Sequence, residues 1–180
     1  MLNPNSRLGK LLSAPMRPGR VAWIGVRPAR RMPLEAAESV IAEAGTGLVG
    51  DHYSSRRNGA RQVTLIQAEH IAAIASYLGC ATVDPALLRR NIVTEGINLQ
   101  ALKNKRFRVG AAVLEFSGEC HPCSRMEENL GVGGYNAVRG HGGITARVLV
   151  GGTIRLNDEL AVIPASEHAE PGDDDESAGT

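Results

Sequence analysis

The second half of the chain constrains the fold most, because short β-forming runs follow one another there with almost nothing between them. Residues 111–116 follow a turn at Gly110, and 145–150, 153–156 and 160–163 come in close succession. Apolar runs of this length, bounded by turn residues, read as strands. Gly151-Gly152 between two of them reads as a two-residue hairpin, and Asn157-Asp158 as the next turn. Upstream, residues 21–26, 39–42, 61–66 and 92–94 add further strands. Helices are few. Ile71, Ile74, Ala75 and Leu78 recur at helical spacing, which predicts a helix over 67–78 with Gly79 at its C-terminal cap. Asp84-Pro85 opens a second, short helix that stops near Arg89-Arg90-Asn91. Regular strand–helix alternation is missing, so a doubly wound sheet is disfavoured. The expected fold is mainly β with short helices: a mostly antiparallel barrel or sandwich with helical insertions.

Charge divides the chain into three parts. Residues 1–31 carry seven basic groups and no acid, residues 165–180 carry six acids and no base, and the body between holds 13 of each. The net charge of +1 is therefore a sum of opposite ends. We read residues 1–19 as a basic N-terminal arm, 20–164 as one domain, and 165–180 as an acidic, disordered tail. No run approaches the apolar length of a membrane span, and the first residues lead into no signal-peptide core, so a soluble, cytoplasmic protein with no membrane partner is expected. Nucleic acid is not an expected partner either, since the six aromatics alternate with no basic stripe. Three cysteines, two of them close together, suit a reducing compartment and a reactive thiol better than a disulfide framework.

The sharpest local feature is Cys120-His121-Pro122-Cys123. Two thiols three positions apart suit metal binding, disulfide exchange or a nucleophilic thiol. Pro122 tolerates the first turn of a helix, so residues 124–130 are expected to begin one near Cys123, placing its N-terminus and Arg125 beside that thiol. A structural zinc would need two further ligands, and His52, His70 and His141 are scattered. A thioredoxin-like pair has a suitable proline but stands among hairpins rather than in a βαβ unit. A thiol that carries sulfur or ligates a soft metal, and ordinary packed cysteines, stay open beside these. Cys80, at the end of an apolar helix, reads as buried and inert. Arg89-Arg90-Asn91 offers donors suited to a phosphate, or a solvated helix end. Eight of the 21 glycines fall in 131–152, and Gly140-His141-Gly142-Gly143 suits a ligand-facing loop or flexible hairpins. Gly47-Leu48-Val49-Gly50-Asp51-His52 reads as a kinked strand end presenting a carboxylate and an imidazole.

In order and spacing these pieces resemble the MOSC domain, found at the C-terminus of molybdenum cofactor sulfurases and as stand-alone bacterial proteins. The matching residues are 47–52, then Arg61-Gln62-Val63-Thr64-Leu65-Ile66 with Glu69, then Arg89-Arg90-Asn91-Ile92-Val93. They continue through Gly110 and Leu114-Glu115 to Cys120-x-Pro-Cys123, and end with Gly142-Gly143-Ile144-x-Ala146-Arg147-Val148 and Gly151-Gly152-x-Ile154. The resemblance implies a β-barrel, closed or partly open, that binds the molybdenum cofactor (molybdopterin), a pterin carrying a phosphate and a dithiolene-bound metal. It makes Cys123 the catalytic residue, as molybdenum ligand or sulfur carrier. Arg89 and Asn91 fall at pterin-phosphate contacts, and Arg147 with Gly142 and Gly143 border the same pocket; Cys120, Asp51 and His52 complete the expected cofactor-binding set.

Two functions of different class follow from the resemblance. One is an oxidoreductase that reduces N-hydroxylated small molecules with electrons from a separate reductase. The other is a non-enzymatic carrier that takes persulfide sulfur from a cysteine desulfurase and passes it to a cofactor or cluster. Pyridoxal phosphate is not expected in this chain, because it belongs to the separate sulfurase domain. The reductase relatives carry an additional N-terminal β-rich domain that contributes to the cofactor site, whereas about 20 residues precede the first strand here. A cofactor bound by this chain is therefore expected to be more exposed, or to be completed by a second subunit, including a second copy.

Overall fold

In the computed structural model, which describes residues 3, 5–53 and 58–164, the first ordered element is a short helix, α1 (Arg7–Leu12). Ser6 caps it by accepting from the Gly9 N–H at 3.0 Å, and none of its side chains is buried. The sequence has no sustained period there and gave no sign of this helix.

Strands alternate inward and outward side chains, and the runs pair into a closed barrel. Going round, β11 (Glu159–Val162) pairs with β7 (Arg106–Val109), then come β8 (Ala112–Glu119), β9 (Ile144–Val150), β5 (Val63–Gln67), β6 (Ile92–Glu95) and β1 (Gly19–Val26). β1 returns to β11 through Gly19↔Leu160 and Arg20↔Glu159, which closes the ring. A two-residue strand, β2 (Glu35–Ala36), extends β1. A small second sheet is formed by β10 (Gly152–Arg155), β3 (Ser39–Glu43) and β4 (Gly47–Leu48). All barrel pairings are antiparallel except β5–β6. A parallel pair needs a crossover, supplied by α2 (Ala68–Tyr77) and a 3₁₀ turn over Pro85–Leu88. Another 3₁₀ turn spans Leu99–Leu102, and α3 (Arg125–Leu130) and α4 (Gly134–Val138) lie between β8 and β9. No helix among the described residues is long and apolar enough to cross a membrane.

β5 and β6 sit between two cores. Val63, Leu65 and Ile92 point into the barrel with Phe107, Leu114, Ile144 and Leu160. Ile66 and Val93 point the other way and pack with Ile71, Ile74, Leu88 and Met126 beneath the helices. α2 ends as Gly79 led us to expect. With φ of 67° it lets its own N–H reach the Ser76 carbonyl and the Cys80 N–H reach that of Ala75, a Schellman arrangement. The same turn carries Cys80 out of the core, so the expectation that this thiol is buried fails. Cys80 is exposed, its Sγ donating to the carbonyls of Ala75 and Thr82.

The Gly151-Gly152 hairpin also fails. β9 pairs with β8 and β5, whereas β10 leaves the barrel and pairs with β3. Both glycines permit close backbone approach rather than a tight turn. A Cβ at Gly152 would lie 2.5 Å from the Ala111 carbonyl carbon, and one at Gly151 would lie 2.9 Å from the Ala42 oxygen. The acidic tail expected over 165–180 lies outside the described residues. Gly152→Ala is expected to lower stability by about 1–3 kcal/mol through overpacking against Ala111, measured by urea denaturation.

Candidate functional site

The strand registers bring the sequence-predicted residues to one end of the barrel. There β1 and β8 finish and β6 and β9 begin, as Ile24↔Ile92 and Glu119↔Ile144 show. Arg27, Arg89-Arg90-Asn91, Cys120 and Gly142-Gly143 are therefore neighbours.

Arg90 is 5% exposed and has no carboxylate partner among the described residues. Its guanidinium donates from Nε to the Gly142 carbonyl at 2.7 Å, from Nη1 to Leu88 at 2.9 Å and from Nη2 to Cys120 at 3.2 Å. One buried cation thus ties the crossover, the cysteine loop and the glycine loop together. Burial holds its pKa below the usual arginine value, and Cys120 and Cys123 act against that shift. Cys120 is fixed further by its N–H donating to the Gly143 carbonyl at 2.9 Å. Burial pushes the Cys120 thiol up, against the pull of Arg90. Cys123 is exposed, and its carbonyl receives the Met126 N–H as α3 begins.

Asn91 is buried, and all four of its side-chain hydrogen bonds go to protein. Oδ1 accepts from the Thr64 N–H at 3.2 Å and the Thr64 hydroxyl at 2.7 Å; Nδ2 donates to the Gly25 carbonyl at 3.2 Å and to Asp51 Oδ2 at 2.8 Å. It joins β5, β1 and Asp51 and has no donor left over. Asp51 accepts in addition from the Arg27 N–H at 3.1 Å and the Tyr53 N–H at 2.9 Å. His52 Nδ1 lies 3.2 Å from both Arg27 Nε and Asp51 Oδ1. Arg27 is 9% exposed, and its Nη1 is buried without a partner among the described residues. Burial lowers its pKa, Arg89 adds to the shift, and Asp51 and Cys123 oppose it.

Beside this network is a cavity of about 240 Å³ whose lining includes Arg27, Arg31, Arg89, Arg125, Met32 and Asn129. Arg89 enters it from a left-handed backbone, φ 59°, at the end of the 3₁₀ turn. Arg125 is ion-paired with Glu128, and Arg27 is engaged with His52, so Arg31 and Arg89, which have no side-chain partner among the described residues, supply the cavity's uncommitted charge. A larger cleft of about 730 Å³ is walled by Glu69, Glu95 and Glu159, with Arg20 paired to Glu95, and that lining does not suit an anion.

Gly142 and Gly143 approach the chain itself. A Cβ at Gly142 would lie 2.0 Å from the Cys120 oxygen, and one at Gly143, where φ is 81°, 1.9 Å from that of Leu65. Arg147 is not brought to the cavity; it lies along β9 opposite Glu115, which Arg106 shares. No group of three or more metal-ligating side chains forms among the described residues.

A family model for the MOSC domain matches residues 50–161, more than half of the chain. The chain belongs to the MOSC family. Solved structures agree on the fold. YuaD from Bacillus subtilis superposes with a TM-score of 0.70 at 19% identity, covering 81% of this chain and 96% of that one. YiiM from Escherichia coli gives 0.61 at 18% identity, covering 80% and 69%. YiiM from Geobacillus stearothermophilus gives 0.64 at 15% identity, covering 81% and 75%. No curated protein matches. The closed, mainly β barrel is thus the MOSC-type fold expected from the sequence.

Two arginines of this MOSC site, Arg27 and Arg31, were not among the residues the sequence pointed to. They had counted only as part of the basic lead-in, although a cluster of arginines directly after a strand was the available signal. Arg90 stood within the Arg89-Arg90-Asn91 motif, but its role as a buried strut was not legible there, because its burial depends on Leu88, Cys120 and Gly142 meeting. Asn91→Ala should cost at least about 2 kcal/mol, since it strands buried partners on Thr64, Gly25 and Asp51 that each cost about 1–3 kcal/mol unpaired; urea denaturation checks this. In a timed alkylation near neutral pH with mass mapping, Cys123 and Cys80 should be modified before Cys120, which burial keeps protonated.

Proposed function

We propose that this MOSC protein holds the molybdenum cofactor at the barrel end described above, with its phosphate in the arginine-lined cavity and Cys123 as the thiolate ligand to molybdenum. The observation that carries the reading is the cavity itself: Arg31, Arg89 and a buried Arg27 Nη1, all without an acceptor among the described residues, beside a two-cysteine loop. A buried unpaired guanidinium N–H is costly, and a phosphate offers the acceptor it lacks. A thiolate suits a soft metal. The donor set therefore fits both ends of the cofactor.

In this reading Arg31 and Arg89 bind the anionic end, while Arg90 fixes the loop that presents Cys123. Cys120 and the two glycines set that loop's position through backbone contacts. Asn91 acts by holding Asp51, which in turn orients Arg27 and His52, and Arg147 braces β9 from outside the cavity. When bound, the cofactor supplies two-electron redox chemistry for an N-hydroxylated small molecule, with electrons from a partner reductase. The exposure of Cys123 favours a second reading, since a thiol open to another protein could take persulfide from a cysteine desulfurase and pass the sulfur on.

Elemental analysis and mass spectrometry of protein made in a cofactor-competent cell test these readings together. The enzyme reading expects stoichiometric molybdenum that is lost in Cys123→Ala and retained at least about tenfold more weakly in Arg89→Gln, the loss expected for a charged hydrogen bond. Metal-free protein with a persulfide on Cys123 would replace that reading with the carrier. Protein bearing neither would sink both.

A further inference from the structure

The short helix α1 carries an apolar face that its own chain leaves uncovered. Leu8, Leu11 and Leu12 stand at i, i+3 and i+4, on one side of the helix, and each is more than half exposed. Six residues fall well short of the about 12–15 that an isolated helix needs in water, so packing of such a face has to supply its stability. The segment that follows is anchored: Lys105 Nζ donates to the Leu12 carbonyl at 2.8 Å, and Met16 packs against the barrel core. The end of the helix is thus tied to the barrel while none of its side chains is buried.

A surface of matching character lies along α2. The acidic cleft described above adjoins an apolar groove of about 420 Å³, and Ala68 and Ala72 line both. Ile71 and Ala75 continue the same face of α2, with Trp23 and Val83 beside them. The alanines on that face let another helix come close. At the acidic end three carboxylates, Glu69, Glu95 and Glu159, stand against Arg20. Helix α1 is the reverse, with Arg7 and Lys10 next to its leucines and no acid. A basic amphipathic helix in an apolar groove with an acidic rim matches on both counts. The lining of the groove includes no residue of α1, and residues 165–180, with six acids, carry the wrong charge for it.

We propose that α1 of one copy seats its leucines in the α2 groove of a second copy, the two arms being exchanged about a two-fold axis. Each contact then occurs twice, and six leucines are covered. Pro18 and Gly19, where the arm enters β1, line the acidic end of the groove. The place from which an arm departs is therefore also the place that receives the partner's arm, which favours a closed pair over an open chain of copies. The groove shares no lining residue with the arginine cavity, so the pairing is independent of the proposed cofactor.

The test is sedimentation velocity of the full chain from micromolar to sub-millimolar concentration, with hydrogen exchange at the α1 amides. The expected result is a reversible dimer that weakens as salt rises, with α1 protected in the dimer and unprotected on dilution to monomer. Leu11→Glu should raise the dimer dissociation constant at least about tenfold, the loss expected for one buried leucine. Its urea midpoint, measured on the monomer, should match that of the wild type, because α1 buries no side chain in its own chain. Arg7→Glu with Lys10→Glu should weaken the dimer, as should Glu159→Lys. An equimolar mixture of those two variants should restore it, since one arm then meets an unaltered groove and the other a groove of reversed charge. Should Glu159→Lys fold poorly, because Glu159 pairs with Arg20 at the barrel seam, Leu11→Glu decides alone. A chain that stays monomeric, α1 protected in the monomer, a dimer that Leu11→Glu leaves unchanged, or a mixture no stronger than its components would each overturn the proposal.

Discussion

The site depends on the closure of the barrel, and the barrel closes on a seam of two residue pairs. Gly19↔Leu160 and Arg20↔Glu159 join the first strand to the last, and Gly19 is needed there because a Cβ would lie 2.5 Å from the Ile97 side chain and 2.6 Å from the Glu95 carbonyl oxygen. Closure satisfies the strand edges, so β1 cannot slide without breaking its pairing with β6 as well. Its far end is thereby held at a fixed place, and that end delivers Arg27 to the cavity. The same ring sets β8 beside β9, which brings the cysteine loop to the glycine loop.

Above the barrel end, polar groups take over from apolar packing. Arg90 and Asn91 are adjacent in sequence and face different tasks. Arg90 binds three carbonyls and no acid, and Asn91 uses every donor and acceptor it has on the protein. A buried network of this kind is stable only when each member is satisfied. Arg27 is the exception, with its buried Nη1 left without a partner among the described residues. An unmet donor in an otherwise completed network is where a ligand has most to offer. The thiols divide along the same line. Cys120 is held in the network and kept protonated by burial, whereas Cys123, past Pro122, is free to meet a partner.

Local patterns in the sequence carried much of the fold. The 3.6-residue spacing of Ile71, Ile74 and Leu78, the Gly79 cap, the Asp84-Pro85 start and most of the strands are short-range effects, and they appear within a few residues of where the pattern puts them. The resemblance to the MOSC family rested on the order of weak motifs and proved sound. Errors came where partners are distant. Gly151-Gly152 has the composition of a hairpin turn, yet the demand it meets is close approach to Ala42 and Ala111, far away in the chain. Cys80 follows an apolar helix, yet the turn that ends the helix faces solvent.

The sequence alone determined that this is a mainly β chain with a paired-thiol motif and arginines near it, because propensity, turn chemistry and motif spacing are local properties. Tertiary structure decided which of those arginines matter. Arg90 became a buried strut, Arg147 a brace on the barrel wall, and Arg27 and Arg31 moved from a basic lead-in to the wall of a cavity. The physical reason is that an arginine's role is set by the acceptors and the burial around it, and both depend on which strands the closed barrel brings together.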